Sequence, residues 1–180
     1  AAAPALGALL EAFARAGKPA RRVVVMVASG AGGAPPRAAI AGLSAACPGV
    51  ARVLVHDPGA PHRFVAGVTS RGVPVALDEA LLEAEALVTV GPARRAPGGV
   101  SAGAEVLFPG LASRAAREAH FALAPPARAA HAREAAALFP PDFRVCWAAE
   151  PGGALAAWAG AGDEAERAAS ASLDPLRHAG

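Results

Sequence analysis

The sequence predicts an α/β fold: a mostly parallel, doubly wound, Rossmann-like sheet flanked by helices, with an antiparallel hairpin near the carboxyl end. Three observations predict it. Apolar runs without alternation, Val23-Val24-Val25-Met26-Val27 and Ala86 to Val90, read as strands buried on both faces. Segments with helical spacing follow such runs along most of the chain. Near its end, Phe143 to Ala149 and Ala154 to Ala159 flank Pro151-Gly152-Gly153, the pattern of two strands joined by a turn.

The first helix is expected from Pro4 to Ala16, where Leu6, Leu9, Leu10 and Phe13 share a face and Gly17 and Pro19 supply the stop. After the Val23 to Val27 strand comes the turn Ser29-Gly30-Ala31-Gly32-Gly33-Ala34-Pro35-Pro36. A helix from Arg37 to Ala46 ends at Pro48-Gly49, and Arg52 to Val55 completes a βαβ unit. Phe64 to Val68 and Val73 to Ala76 flank Thr69-Ser70-Arg71-Gly72 as a hairpin, and Asp78 can cap a helix carrying Leu81 and Leu82. After the strand at Ala86 to Val90, the small residues, proline and glycine of Gly91 to Gly103 predict a long loop at a strand's carboxyl end, where open α/β sheets bind ligands. Helices are expected from Ser113 to Phe121, from Pro126 to Leu138, and in a short polar stretch after Gly162. Pro140-Pro141 breaks the second of these. No repeat or domain-sized linker appears, so residues 1–180 read as one domain.

Composition narrows the function. Hydrophobic residues make up 54% of the 180, but many are alanine, so core assignments rest on Val, Leu, Ile, Phe and Trp. The formal charge of +2 is almost wholly arginine, scattered among acids, with Lys18 the one lysine. With 4% aromatics and no tyrosine, neither a basic stripe nor a stacking platform for nucleic acid is present. Cys47 and Cys146 lie far apart with no CxxC spacing and read as small buried hydrophobes. No run of about 18 apolar residues suits a bilayer, and the amino end lacks a leader pattern, which makes the cytoplasm the expected location and no membrane partner the expectation.

Few residues suggest chemistry. The turn after the first strand has the arrangement that docks phosphate groups: strand, glycine-rich turn, helix amino terminus. Ser29, Gly30, Gly32 and Gly33 are therefore candidate ligand contacts. Gly30 and Gly32 fit a dinucleotide fingerprint, but Pro35 takes its third position, and a plain tight turn remains the other reading. Arg94 and Arg95, in the expected loop, could receive a carboxylate or phosphate, or be ordinary exposed arginines. Glu105, the acid within Val100 to Leu111, is either a perturbed carboxylate or the exposed face of a strand. His56, followed by Asp57, reads first as a surface histidine beside a turn, His131 as a solvated helix residue, and His178 as part of a tail. His62 and His120 complete the histidines, and none has HExxH or His-plus-Cys spacing.

Three segments, in this order, resemble the amino-terminal domain of the nickel-pincer lactate racemase family. They are Val27-Ala28-Ser29-Gly30, then Val68-Thr69-Ser70-Arg71-Gly72-Val73-Pro74-Val75, then Phe108-Pro109-Gly110-Leu111-Ala112-Ser113 leading to His120. The stretch from Asp142-Phe143-Arg144-Val145 through Trp158-Ala159-Gly160-Ala161-Gly162-Asp163 is similar to the end of that domain, so the resemblance covers nearly the whole chain. It implies a domain that, with a smaller carboxyl-terminal one, encloses a nickel pincer nucleotide, where hydride moves between a 2-hydroxy acid and the cofactor. Two histidines serve as acid and base, a third binds nickel, and a lysine attaches the cofactor.

Carried over residue by residue, the resemblance implies a scaffold without that chemistry. Gly32 stands where the first histidine is expected, Arg95 where the second is, and Glu105 where the lysine is. His120 keeps the nickel-ligand position, with Ala119 where asparagine is usual. A family Asp-x-Thr-Arg-Pro segment is expected to precede residue 1 and the second domain to follow residue 180. Glycine carries no proton, and arginine stays protonated at any working pH. The resulting expectation is a non-catalytic, racemase-like domain, a pseudoenzyme with no bound cofactor, that binds a small anionic or phosphorylated ligand or a protein partner. Two alternatives stand beside it: a portion of a nickel-pincer 2-hydroxy acid racemase completed by further segments, and a nucleotide-binding α/β domain unrelated to nickel.

Overall fold

The structure, a computed structural model, describes residues 2–29, 35–61, 63–96, 99–149 and 155–173. The chain divides into two compact units, Ala1–Asp57 and Pro58–Gly180.

In the first unit, helix α1 (Ala2–Arg15) packs against α2 (Arg37–Ala46). Leu6 is its buried anchor, and Gly17, at φ +74°, adopts the left-handed backbone that ends α1. Strands β1 (Val24–Val27) and β2 (Arg52–Val55) pair in parallel from Val24↔Arg52 to Val27↔Val55, so α2 is the crossover of a βαβ unit as expected. The expectation that β1 is buried on both faces is corrected: Val24 is 43% exposed and Val25, Met26 and Val27 are half-buried. Among the described residues β1 has one strand neighbour, so it is an edge and not an interior strand. Cys47 is buried and free.

The second unit opens with an antiparallel hairpin, β3 (Arg63–Val68) and β4 (Pro74–Asp78), around the Thr69 to Gly72 turn. Val75 and Leu77 of β4 are buried, while Val65 and Val68 of β3 are exposed. Asp78 caps the following 3-10 turn, Glu79–Glu83, accepting from Ala80 N at 3.2 Å. A four-stranded sheet then forms in the order β6-β5-β7-β8, from β5 (Val88–Ala96), β6 (Gly99–Ala102), β7 (Phe143–Ala149) and β8 (Leu155–Ala161). Only β5 and β7 pair in parallel there. The β7–β8 pair is the terminal hairpin the sequence predicts. Between β5 and β7 run α3 (Ala104–Leu107), α4 (Arg114–Phe121) and α5 (Pro125–Ala137). After β8, helix α6 (Glu164–Leu173) lays Ala165 and Ala169 on Ala93, Cys146 and Ala148, with Trp158 and Leu173 packed around them. Among the described residues, no helix is long and apolar enough to cross a membrane.

Two expectations are corrected here. The α/β class holds, but the sheets are small and mixed, not one doubly wound parallel sheet. Parallel pairing needs a long crossover, and the described sheets contain two, through α2 and through α3 to α5; elsewhere short connections force antiparallel neighbours. The predicted loop from Gly91 to Gly103 is largely strand, with β5 continuing to Ala96 and β6 pairing with it antiparallel, Arg94↔Ser101 and Arg95↔Val100. Pro97-Gly98 lies between the two strands and outside the described residues.

Close backbone packing explains the segment Phe108 to Ser113. A Cβ on Gly91 would lie 2.5 Å from Val106 Cγ2, so α3 rests on β5 only because that position is bare. A Cβ on Gly110 would lie 2.2 Å from the Val106 carbonyl oxygen, because the chain folds back over α3 with Gly110 N–H donating to Glu105 O at 3.0 Å. The Phe108-Pro109 peptide is cis. Ser113 N–H then donates to Ala76 O at 2.8 Å, tying the segment to β4, and the Ser113 hydroxyl caps α4 by accepting from Ala116 N at 3.3 Å.

Candidate functional site

These constraints deliver three polar side chains to one buried place in the second unit. The hairpin turn supplies Thr69, α4 supplies His120, and α5, opened by Pro125 and Pro126 at its first turn, supplies His131. Thr69 is 4% exposed, His120 4% and His131 1%. His131 Nε2 lies 3.1 Å from Thr69 Oγ1, and His131 Nδ1 lies 3.1 Å from His120 Nδ1. The hydroxyl and two imidazoles thus form one hydrogen-bonded chain.

Phe108, fully buried, floors it. Its ring meets His120 and His131 at centroid distances of 5.4 and 5.3 Å with planes near perpendicular, the edge-to-face geometry aromatic pairs prefer. Beside the chain, Glu134 sits one turn after His131. It receives Ser70 Oγ–H at 2.9 Å and the Ser70 backbone N–H, which locks the turn onto α5.

The electrostatics favour neutral rings. Burial, then the charges of His131 and Arg128, push the His120 pKa down to about 4. Burial also lowers that of His131, assisted by Arg71 and opposed by Glu134. The two Ser70 hydrogen bonds hold the Glu134 carboxyl below its ordinary value. A hydroxyl on an imidazole backed by a second polar group is the pattern of an activated nucleophile. Here the hydroxyl is engaged inside the protein with His131 and the Val73 N–H, and the chain of hydrogen bonds fixes the Thr69 turn to two helices.

Sequence reasoning misplaced two histidines and gave no role to Thr69. His131 is corrected from solvated to buried: it lies in the stripe of Ala132, Ala135 and Ala136 that α5 turns inward. Alanine suits either face of a helix, so that stripe carried almost no signal. His56 is corrected likewise, being 2% exposed in the first unit.

The remaining candidates lie apart from the buried chain. Ser29 is buried in the first unit, its hydroxyl donating to His56 O at 2.6 Å. Gly30, Gly32, Gly33, His62 and His178 lie outside the described residues. In the second unit, Arg94 is exposed on β5 with Arg95 next to it. Both positions belong to strand β5 and not to the open loop expected for them. Glu105 is exposed on the single turn of α3, so of its two readings the strand face does not apply. His120 touches His131, Phe108 and Phe121. No group of three or more His, Cys, Asp or Glu able to hold a metal occurs among the described residues.

No curated protein matches the chain. Among solved structures it is similar to the lactate racemase apoprotein of Thermoanaerobacterium thermosaccharolyticum, with a TM-score of 0.80 and 17% sequence identity. That match covers 95% of this chain and 45% of the other, so the chain spans less than half the length of that protein. At this identity the likeness establishes the fold. The family model of the lactate racemase N-terminal domain matches residues 3–131, well over half of the chain, and the chain belongs to that family.

Proposed function

We propose that this is a racemase-family domain that does not itself carry out racemase chemistry, and that it binds a small anionic or phosphorylated ligand or a protein partner. The observation that carries the reading is Glu105, an exposed carboxylate on α3 at the position the resemblance gives to the cofactor-bearing lysine. A carboxylate cannot form the linkage an amine forms. His120, at the position of the nickel ligand, is engaged through Nδ1 with His131. Gly32 and Arg95 stand at the two acid–base positions and can supply neither function. These residues do not fit the pincer nucleotide, and we assign no step through it. The described cation available to an anionic ligand in the second unit is Arg94, exposed on β5, and the glycine-rich sequence after Ser29 is what suggests backbone donors in the first unit.

Metal analysis and intact mass of the purified chain test this reading, together with chiral chromatography after long incubation with either lactate enantiomer. The expected result is no stoichiometric nickel, no mass increment and no racemization above a protein-free control. Nickel near one per chain, or a covalent adduct, supports the alternative: part of a pincer-dependent 2-hydroxy acid racemase completed by further segments. The retained His120 is what favours that alternative.

A further inference from the structure

We propose that Thr69 and His131 fix the tautomer of His120, so that its Nε2 carries a proton and offers a hydrogen bond to an oxygen acceptor instead of an electron pair to a metal. This rests on the reading above and says what the retained histidine does.

The inference follows from counting protons along the chain. A threonine hydroxyl has one proton to donate and two lone pairs to accept with. Val73 N–H approaches the Thr69 oxygen at 3.4 Å and needs one lone pair. Among the described residues, the one acceptor near the hydroxyl proton is His131 Nε2, at 3.1 Å. With Nε2 accepting, the single proton of a neutral His131 lies on Nδ1. Nδ1–H then donates across 3.1 Å to His120 Nδ1, which must hold a lone pair. The proton of His120 is left on Nε2.

Run in the opposite direction, the chain leaves the Thr69 proton without an acceptor in a residue 4% exposed, an arrangement buried polar groups avoid. The ring geometry suits a shared hydrogen bond: the planes lie within 22° and the centroids 5.4 Å apart, the separation of two imidazoles meeting edge to edge through nitrogen. Among the described residues neither ring is hydrogen-bonded to a carboxylate, and an imidazole ordinarily titrates below neutral pH, so one proton per ring is the right count.

The polarity is opposite to that of a metal-binding histidine. Such a residue donates its second N–H to a carboxylate or carbonyl, which leaves the metal-facing nitrogen a lone pair. Here the second nitrogen of His120 faces an imidazole that is itself a donor. The matching occupant at Nε2 is an oxygen of a carboxylate, phosphate or carbonyl group.

Long-range proton–nitrogen NMR of the full chain, labelled with ¹⁵N in the histidine rings, reads each tautomer directly at neutral pH. The expected pattern is a protonated Nε2 and unprotonated Nδ1 on His120, with the reverse on His131. Thr69→Val removes the hydroxyl that sets the direction and should shift His120 toward the other tautomer, while Thr69→Ser should keep the wild-type pattern. A protonated Nδ1 on His120 in the wild type overturns the proposal, as does a folded Thr69→Val chain with an unchanged pattern. Should Thr69→Val fail to fold, the wild-type and Thr69→Ser spectra decide alone. Adding Ni²⁺ separates the two readings: nickel incorporated with the tautomers as proposed counts against the proposed function only, and the wrong tautomer without nickel against this inference only.

Discussion

The Thr69–His131–His120 chain and the Arg144–Glu166 pair both place ionisable groups inside the second unit, and they bear the cost of burial differently. In the first, burial keeps the rings neutral and each contact is a hydrogen bond between uncharged partners. In the second, Arg144 Nη1 lies 3.3 Å from Glu166 Oε2, with the side chains 10% and 19% exposed. Burial raises the Glu166 pKa even though Arg144 and Arg133 pull it down, so desolvation outweighs the attraction. The buried Arg144 Nε has no hydrogen-bond partner among the described residues. The neutral relay therefore meets burial with a hydrogen bond at each contact between its members, while the charged pair that holds α6 to β7 meets it with an attraction that desolvation opposes.

The comparison is broken most severely at Phe108, the floor shared by both imidazoles. Phe108→Ala should cost about 4 kcal/mol, through lost burial and the cavity left under the rings. Urea unfolding measures it. A loss below about 1 kcal/mol would mean that the relay, and not the ring beneath it, holds α4 and α5 together.

The charged side gives the next largest effect. Glu166→Leu should cost roughly 3 kcal/mol by stranding the Arg144 charge, whereas Arg144→Met with Glu166→Leu should return to within about 1 kcal/mol of the wild type or exceed it. If the double variant is as unstable as the single one, the pair is a true stabiliser and the contrast with the relay fails.

How much of this was legible in the sequence follows from which interactions are local. The helices α1, α2, α4 and α5, the βαβ unit and both hairpins around Thr69 to Gly72 and after Ala149 announce themselves through spacing, caps and turn residues. Sheet assembly does not, because it depends on which strands meet after the crossovers, and Gly91 and Gly110 act through contacts with Val106 invisible in one dimension. The relay was hidden for the same reason. Its members sit 62 and 11 positions apart, and His131 lies on a helix so rich in alanine that no inward face stands out. His120 could be singled out only through the family resemblance, which names a position and says nothing about what its ring will touch.

The smallest effect, and the one that sets the two regions directly against each other, is pH. Unfolded His120 titrates near 6.5 and folded His120 near 4, so between these values the unfolded chain binds a proton that the folded chain refuses. Stability tied to the relay is therefore complete above about pH 6.5 and is lost as pH falls toward 4, with His131, also lowered, acting in the same direction. Glu166 has the opposite sign: its folded pKa is raised, so the stability it contributes is present below the ordinary carboxylate value and lost as pH rises through the folded one. The two slopes oppose each other in mild acid. Glu166→Gln removes the second slope without removing the side chain, which leaves the relay to be read alone. In that background, the unfolding free energy from urea titrations should fall by about 2 kcal/mol between roughly pH 7 and pH 4.5. His120→Gln in the same background should flatten much of that fall. A profile already flat before the histidine is replaced would show that the rings take up protons in the folded chain as readily as in the unfolded one, and the neutral relay would then be the wrong description of this site.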